Sequence, residues 1–332
     1  MPPGRGSGVM PDVAIWSESG PGVGLGHIAR CGTLASALQR RGVTVRLFTG
    51  APEGVQFARE LGVSAAMADR ISIVGDQNVP LAIVDSYRVS SEDLESLRVR
   101  GVMTVVFDDG GTTPLPGDVV VNGAPGADQR GDDREPGRRY LLGPSYFALR
   151  GAFVNAPAKT VAETIAAVLV TVGGEDEHRR LPHLARIAAA AFPQARIIVV
   201  ARGAEPSGDG WPERCDVRHA PSNYPELVRQ ADVIICGGGQ SLIEAAAVGT
   251  PAAALLLGND QCRQRGAMIA AGAAADGGDW RTTNADAELW GALESLRDAG
   301  SRARMSARGR ALVDGRGADR LAAEILDAWQ ER

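Results

Sequence analysis

Lysine is almost absent from this 332-residue chain, cysteine occurs four times, and aromatic residues make up only 5%. The cysteines, Cys31, Cys215, Cys236 and Cys262, fall at no CxxC spacing. That excludes a zinc ribbon and suits reduced thiols in a cytosolic protein. His178, His183 and His219 have no metal-ligand spacing and read as surface or loop residues, so neither a metal nor another cofactor is expected. No apolar run reaches about 18 residues, so no transmembrane helix is expected. The opening MPPGRGSGVMP lacks the apolar core of a signal peptide and reads as a frayed tail. A net charge of −5 leaves no basic footprint for nucleic acid. The scarcity of lysine beside abundant alanine, arginine and glycine reads as the mark of a GC-rich genome.

What is present is an ordinary globular composition, 44% hydrophobic and 23% charged. At about 150 residues per domain the length suggests two domains. Apolar runs at 13–16, 43–48, 81–85, 102–109, 118–122, 168–173, 195–201, 232–236 and 251–257 read as strands. Helical patterns lie between them at 27–41, 90–100, 181–191, 224–231 and 241–249, and a last helix is expected at 319–330. Continuous apolar strands alternating with helices point to an α/β protein with parallel sheets covered on both faces. The pattern starts twice, at Val13 and at Val168. Residues 1–150 therefore read as one doubly wound domain and 151–315 as a second, with 316–332 packing back across them. The polar stretch 123–139 reads as a loop or lid. The default ligand site of such sheets is outside the carboxyl ends of the strands, here the cleft between the domains.

After the first strand comes GVGLGHIARCGTLASALQRRG, with glycines at 20, 22, 24 and 26. A dinucleotide loop needs G-x-G-x-x-G. Here the spacing is G-x-G-x-G, with His27 where the third glycine would stand, and Glu53 is poorly placed as a ribose acid. A dehydrogenase is excluded on spacing. The first-loop glycines, Gly24 and Gly26, leave room for a sugar instead. His27 falls at a helix N-terminus, where the dipole favours a neutral imidazole suited to general-base work. The second cluster is stronger: the strand DVIIC runs into GGGQSLIEAAAVGTP. Gly237, Gly238 and Gly239 allow close backbone approach, Gln240 and Ser241 open a helix, and the free amides suit a pyrophosphate. Glu244, one turn in, could accept from ribose hydroxyls. TVGGED puts Gly173 and Gly174 at another strand end. Asn259 and Gln261 also follow a strand end, and Asp85 with Tyr87 and Asp108 with Asp109 close first-domain strands, so polar groups of that domain converge on the edge that carries His27.

These residues together resemble the UDP-sugar hydrolases of pseudaminic acid biosynthesis, the PseG/SpsG type, within the MurG-like superfamily. GLGHIARCGTLASAL resembles the family's G-x-G-H-x-x-R-C-x-x-L-A-x-x-L, IVDSY its V-D-x-Y, and VVFDDG its I-D-D. LLGPSYFALRGAF, VLVTVGGED, the GGG region through GNDQ, and DGRGADRLAAEIL resemble its linker, GG-x-D strand end, nucleotide region and tail.

The resemblance implies a GT-B fold, two Rossmann-like domains facing across a cleft, and metal-independent cleavage of a UDP-sugar with inversion. It makes His27 the base that activates water, and maps the family's tyrosine to Tyr87 and its asparagine to Asn259 or Asp260. UDP would lie on Gly237–Ser241, with Glu244 on the ribose and Asn223 and Tyr224 near the uracil. Asp85, Asp108, Asp109, Asp260 and Gln261 would line the sugar. The chain departs from the family's R-x-D-A-S, reading WSESGPGVGLGH instead, with Glu18 the nearby acid. The expected partner is a small nucleotide-sugar bound by a cytoplasmic monomer or homodimer. A glycosyltransferase acting on an acceptor hydroxyl and a non-catalytic nucleotide-sugar-binding protein are the alternatives.

Overall fold

The computed structural model describes residues 10–20, 23, 26–68, 71, 74, 78–109, 115–129, 134–154, 157, 159–173, 180–201 and 210–332. The chain forms two compact units, Met1–Gly151 with Arg316–Arg332, and Ala152–Gly315.

Seven strands build the first unit: β1 (Val13–Ser17), β2 (Val45–Thr49), β3 (Ala65–Met67), β4 (Leu81–Asp85), β5 (Met103–Phe107), β6 (Val119–Asn122) and β7 (Arg139–Leu142). They form a parallel sheet in the order β3-β2-β1-β4-β5-β6-β7. Alternate residues of a strand face opposite sides, and here both sides are covered. Val13 and Ile15 enter the core beneath helices α1 (Gly26–Gln39) and α10 (Gly317–Gln330), with Ile28, Leu34, Leu321 and Ile325. Ala14 and Trp16 enter the opposite core with Leu94 and Leu97 of α3 (Ser91–Val99). α3 starts cleanly because Ser90 and Asp93 form a capping box.

The second unit holds β8 (Ala167–Thr171), β9 (Arg196–Ala201), β10 (Cys215–His219), β11 (Val233–Gly237), β12 (Ala252–Leu256) and β13 (Ala275–Asp279). Their order is β10-β9-β8-β11-β12-β13, again parallel. Helices α4 (Leu181–Ala191) and α8 (Ala285–Ser295) cover one face with Leu184, Ala188, Leu289 and Leu293. The remaining helices are α2 (Pro52–Glu60) in the first unit, and α5 (Tyr224–Gln230), α6 (Gln240–Val248), α7 (Cys262–Ala270) and α9 (Ala299–Leu312) in the second.

The sequence reading missed β3, β7, β10 and β13, and these are the four edges of the two sheets. An edge strand is not enclosed by neighbours, so it needs no apolar run; β13 reads ADGGD and β10 reads CDVRH. Of the expected loop 123–139, Ala127–Gln129 form a 3-10 turn, Arg139 opens β7, and residues 130–133 lie outside the described residues. His183 sits in the first turn of α4 and His219 ends β10, so neither is in a loop, and His178 lies outside the described residues. Among the described residues no helix is long and apolar enough to cross a membrane.

Candidate active site

In each sheet the strand order reverses between two neighbours, β1 and β4 in the first unit and β8 and β11 in the second. Such switch points leave a crevice beyond the carboxyl ends of the strands. The chemistry-bearing residues of each unit gather there.

In the first unit His27 enters α1 directly after β1, and Asp85 closes β4 beside it. His27 Nδ1 lies 2.5 Å from Asp85 Oδ1. Arg30, one turn along α1, donates from Nε to Asp85 Oδ2 and from Nη2 to Oδ1, each at 2.5 Å. Its third nitrogen, Nη1, pairs with Asp109 Oδ2 at 2.7 Å, and its guanidinium stands 4.7 Å over the Phe107 ring. Cys31 Sγ donates to Asp85 Oδ2 at 3.4 Å. Burial works to raise the Asp85 pKa, but the Arg30 charge, then His27 and their hydrogen bonds, outweigh it and hold the carboxyl well below the usual range. An ionised carboxylate can only accept, so His27 Nδ1 carries the proton of this bond, which leaves Nε2 as the nitrogen not engaged by Asp85. Tyr87 packs edge-on to the imidazole, centroids 4.6 Å apart at 83°.

Asp85 is wholly buried, with both oxygens taken. It was expected to line the sugar; in the structure its partners are His27, Arg30 and Cys31. Asp109 is likewise committed to Arg30, and Asp108 is 5% exposed, with its carbonyl accepting from Asn122 Nδ2. Tyr87 is 65% exposed. A Cβ on Gly26 would meet nothing within 4 Å, so that position is open, whereas Gly24 lies outside the described residues. Arg30 was missed as a site residue. Its signal was the i, i+3 spacing from His27, which puts both on one helix face.

In the second unit β11 ends at Gly237 and α6 begins with Gly239 as its N-cap, without a side-chain cap. The first-turn amides of a helix have no partner within it. Two residues from the turn and helix after β12 hold the loop. Gln261 Oε1 accepts from Gly238 N at 2.9 Å, and Gln264 Nε2 donates to Gly238 O at 2.7 Å. Gln261 therefore grips the loop as well as facing it, and Gln264 was missed.

Gly237 and Gly238 are also required by packing. A Cβ on Gly237 would stand 2.7 Å from Leu257 Cδ1, and one on Gly238 the same distance from Arg265 Cβ. These glycines let the protein pack on itself. At Gly239 a Cβ would fit in ordinary contact, 3.8 Å from Gln261 Nε2.

Gly173 turns left-handed at φ +90°, and a Cβ there would come 3.9 Å from Ser241 Oγ; Gly174 lies outside the described residues. Tyr224, buried in the first turn of α5, donates its hydroxyl to Ser241 Oγ at 3.0 Å, and Asn223 is the helix N-cap. Glu244 is 1% exposed, and Gln240 Nε2 reaches its Oε1 at 3.5 Å. Burial, followed by the Glu244 charge, pushes the Cys236 thiol up to about 12. Asn259 and Asp260 are exposed on a 3-10 turn, and Asn259 Oδ1 accepts from Arg281 Nη1 at 2.6 Å. No cluster of three or more His, Cys, Asp or Glu suited to a metal occurs among the described residues.

No family model matches the chain. The spore coat polysaccharide biosynthesis protein SpsG of Bacillus subtilis is 24% identical over 338 residues, covering 96% of this chain and 99% of that protein. Among solved structures, the glycosyltransferase of kitacinnamycin superposes with a TM-score of 0.71 at 16% identity, over 96% of this chain and 99% of that one. MurG of Acinetobacter baumannii gives 0.66 at 13% identity, over 96% and 100%. The spinosyn rhamnosyltransferase SpnG, complexed with thymidine diphosphate, gives 0.66 at 16%, over 95% and 98%. The chain has a GT-B fold and is similar to SpsG along nearly its whole length.

Proposed function

We propose that the protein is an enzyme that hydrolyses a nucleotide-sugar, most simply a UDP-linked amino or deoxy sugar, by activating water with His27. The observation that carries this reading is the contact of His27 Nδ1 with the buried, ionised Asp85. It frees Nε2 to take a proton and places a negative charge against the imidazolium that results. The water oxygen bonds to the anomeric carbon as the bond to the diphosphate breaks. The water proton passes to Nε2, and the electron pair leaves on UDP. Attack opposite the leaving group inverts the anomeric centre.

The amides of Gly239, Gln240 and Ser241 are the groups that would take the diphosphate. Gly173, Gly174, Asn223 and Tyr224 would border the nucleoside, with Gln240 and Glu244 on the ribose. Gly26 would leave room for the sugar, and Asp260 and the Asn259 amide would meet its hydroxyls. A GT-B relative carrying thymidine diphosphate supports a nucleoside diphosphate as ligand.

The test is release of free sugar and UDP from a panel of UDP-sugars without any acceptor. A positioned base contributes about 10²–10⁴-fold, so His27→Gln should lose that much turnover while keeping UDP affinity. Unchanged turnover would remove His27 from the mechanism. The solved neighbours include glycosyltransferases, which favours a second reading: the same base deprotonating an acceptor hydroxyl. In that case sugar leaves UDP only when an acceptor is supplied.

A further inference from the structure

Glu18 follows β1 directly, and it binds each of the four residues that leave β4. Its backbone N donates to Asp85 O at 2.9 Å. Its Oε2 accepts from Ser86 Oγ at 2.9 Å and from Tyr87 N at 2.8 Å. Its Oε1 pairs with Arg88 Nε at 2.8 Å. Ser86 Oγ in turn accepts from Arg88 N at 3.0 Å, closing the turn on itself. Glu18 is 5% exposed, so its Oε2 contacts to Ser86 and Tyr87 are made out of water, where a hydrogen bond to a charged group is strong, while Arg88 reaches Oε1 from the solvent side.

The segment so held carries both partners of the His27 ring. Asp85 fixes Nδ1, and Tyr87 lies edge-on to the imidazole. We infer that Glu18 is a positioning residue that sets the tautomer and orientation of His27 through residues 85–88. The inference rests on the reading of His27 as the base only for its consequence in turnover. The effect on the ring itself can be measured without substrate.

Glu18→Gln tests it. An amide keeps the size but replaces one acceptor oxygen by a donor, and that donor cannot serve Arg88 or share the load of Ser86 and Tyr87. Arg88 is 73% exposed and can turn to water, so the variant should fold. Nitrogen-15 NMR of the ring reads the outcome. The chain has four histidines, and the other three serve as internal controls. In the wild type, His27 should show one tautomer, with Nδ1 protonated and Nε2 bare. In Glu18→Gln the Nε2-protonated form should gain about three- to tenfold, as expected for a weakened hydrogen bond, while the three controls stay put.

An unchanged His27 spectrum, or equal changes at all four histidines, overturns the positioning role. Should Glu18→Gln not fold, Ser86→Ala removes one contact from the other side of the clamp and should give a smaller shift of the same sign. His27→Ala separates the two claims. If turnover survives that change, the base reading fails while the ring measurement still decides the role of Glu18.

Discussion

Asp85 receives the His27 imidazole and the Arg30 guanidinium on the same oxygen, Oδ1, at 2.5 Å from each. One carboxylate thus orients the imidazole and neutralises a half-buried cation. Asp85→Asn removes both effects. Turnover should fall by about 10²–10⁴-fold, since an amide no longer dictates which ring nitrogen is protonated. Stability should fall by about 3–5 kcal/mol, the usual cost of leaving a buried charge with half its partners. Denaturant melts beside initial rates would check the pair. Loss of activity with full stability would show that Arg30 does not depend on Asp85.

The same carboxylate predicts an acid limb in stability. Its folded-state pKa lies below the ordinary carboxylate value, despite burial, because of Arg30 and His27. A depressed pKa contributes stability that is present above the unfolded value, near 4, and is lost as pH falls through the folded one. Thermal stability should therefore fall steadily from about pH 5 downward. Asp216, Asp279, Asp298 and Asp319 are also lowered, chiefly by hydrogen bonds from Arg218, Arg281, Ser301 and Arg40. They lie at the surface, where such pairs add little. Asp85→Asn should accordingly flatten the limb, and an equally steep limb in that variant would assign it to the surface carboxylates.

How much of this was legible follows from where burial writes on the sequence. The central strands β1, β4, β5, β8 and β11 are enclosed on both faces and read as continuous apolar runs such as LAIVD and VLVT. The edge strands have no such enclosure and left no run. In the candidate site, His27 announced itself by its place after a glycine loop. Asp85 read as one more polar strand end, because a wholly buried partner and an exposed binding group look alike in sequence. Gly237 and Gly238 are ambiguous for a similar reason: packing on Leu257 and Arg265 demands glycine as firmly as a ligand would. Glu18 and Gln264 act through contacts across 69 and 26 residues, which no local pattern encodes.

Gln264 offers a test of the loop after β11. In a trans peptide C=O and N–H point opposite ways. Gln264 holds the Gly238 carbonyl, so the Gly239 N–H is turned away from α7. Gln264→Ala frees a peptide flanked by two glycines, and alanine suits the helix it sits on. UDP affinity should drop about three- to tenfold, the worth of one hydrogen bond, with uridine affinity unchanged. Calorimetric titration of both ligands would decide; an equal loss for uridine would mean the loop does not meet the phosphates.

The four thiols should separate by burial. Cys262 is exposed, Cys215 is half-buried and pushed by burial to about 11, and Cys236 is buried and pushed to about 12. Cys31 is buried against Asp85; desolvation, then the Asp85 charge, raises it well above the ordinary thiol value. Since the thiolate is the reacting form, raised pKa and burial act in the same direction. A disulfide reagent at pH 8 should modify one thiol quickly in the native protein, a second slowly, and two only on unfolding. Cys262→Ser should abolish the fast phase. A fast phase surviving that change, traced to Cys31, would mean that the His27–Asp85–Arg30 cluster opens to solvent, and with it the protected setting on which the base depends.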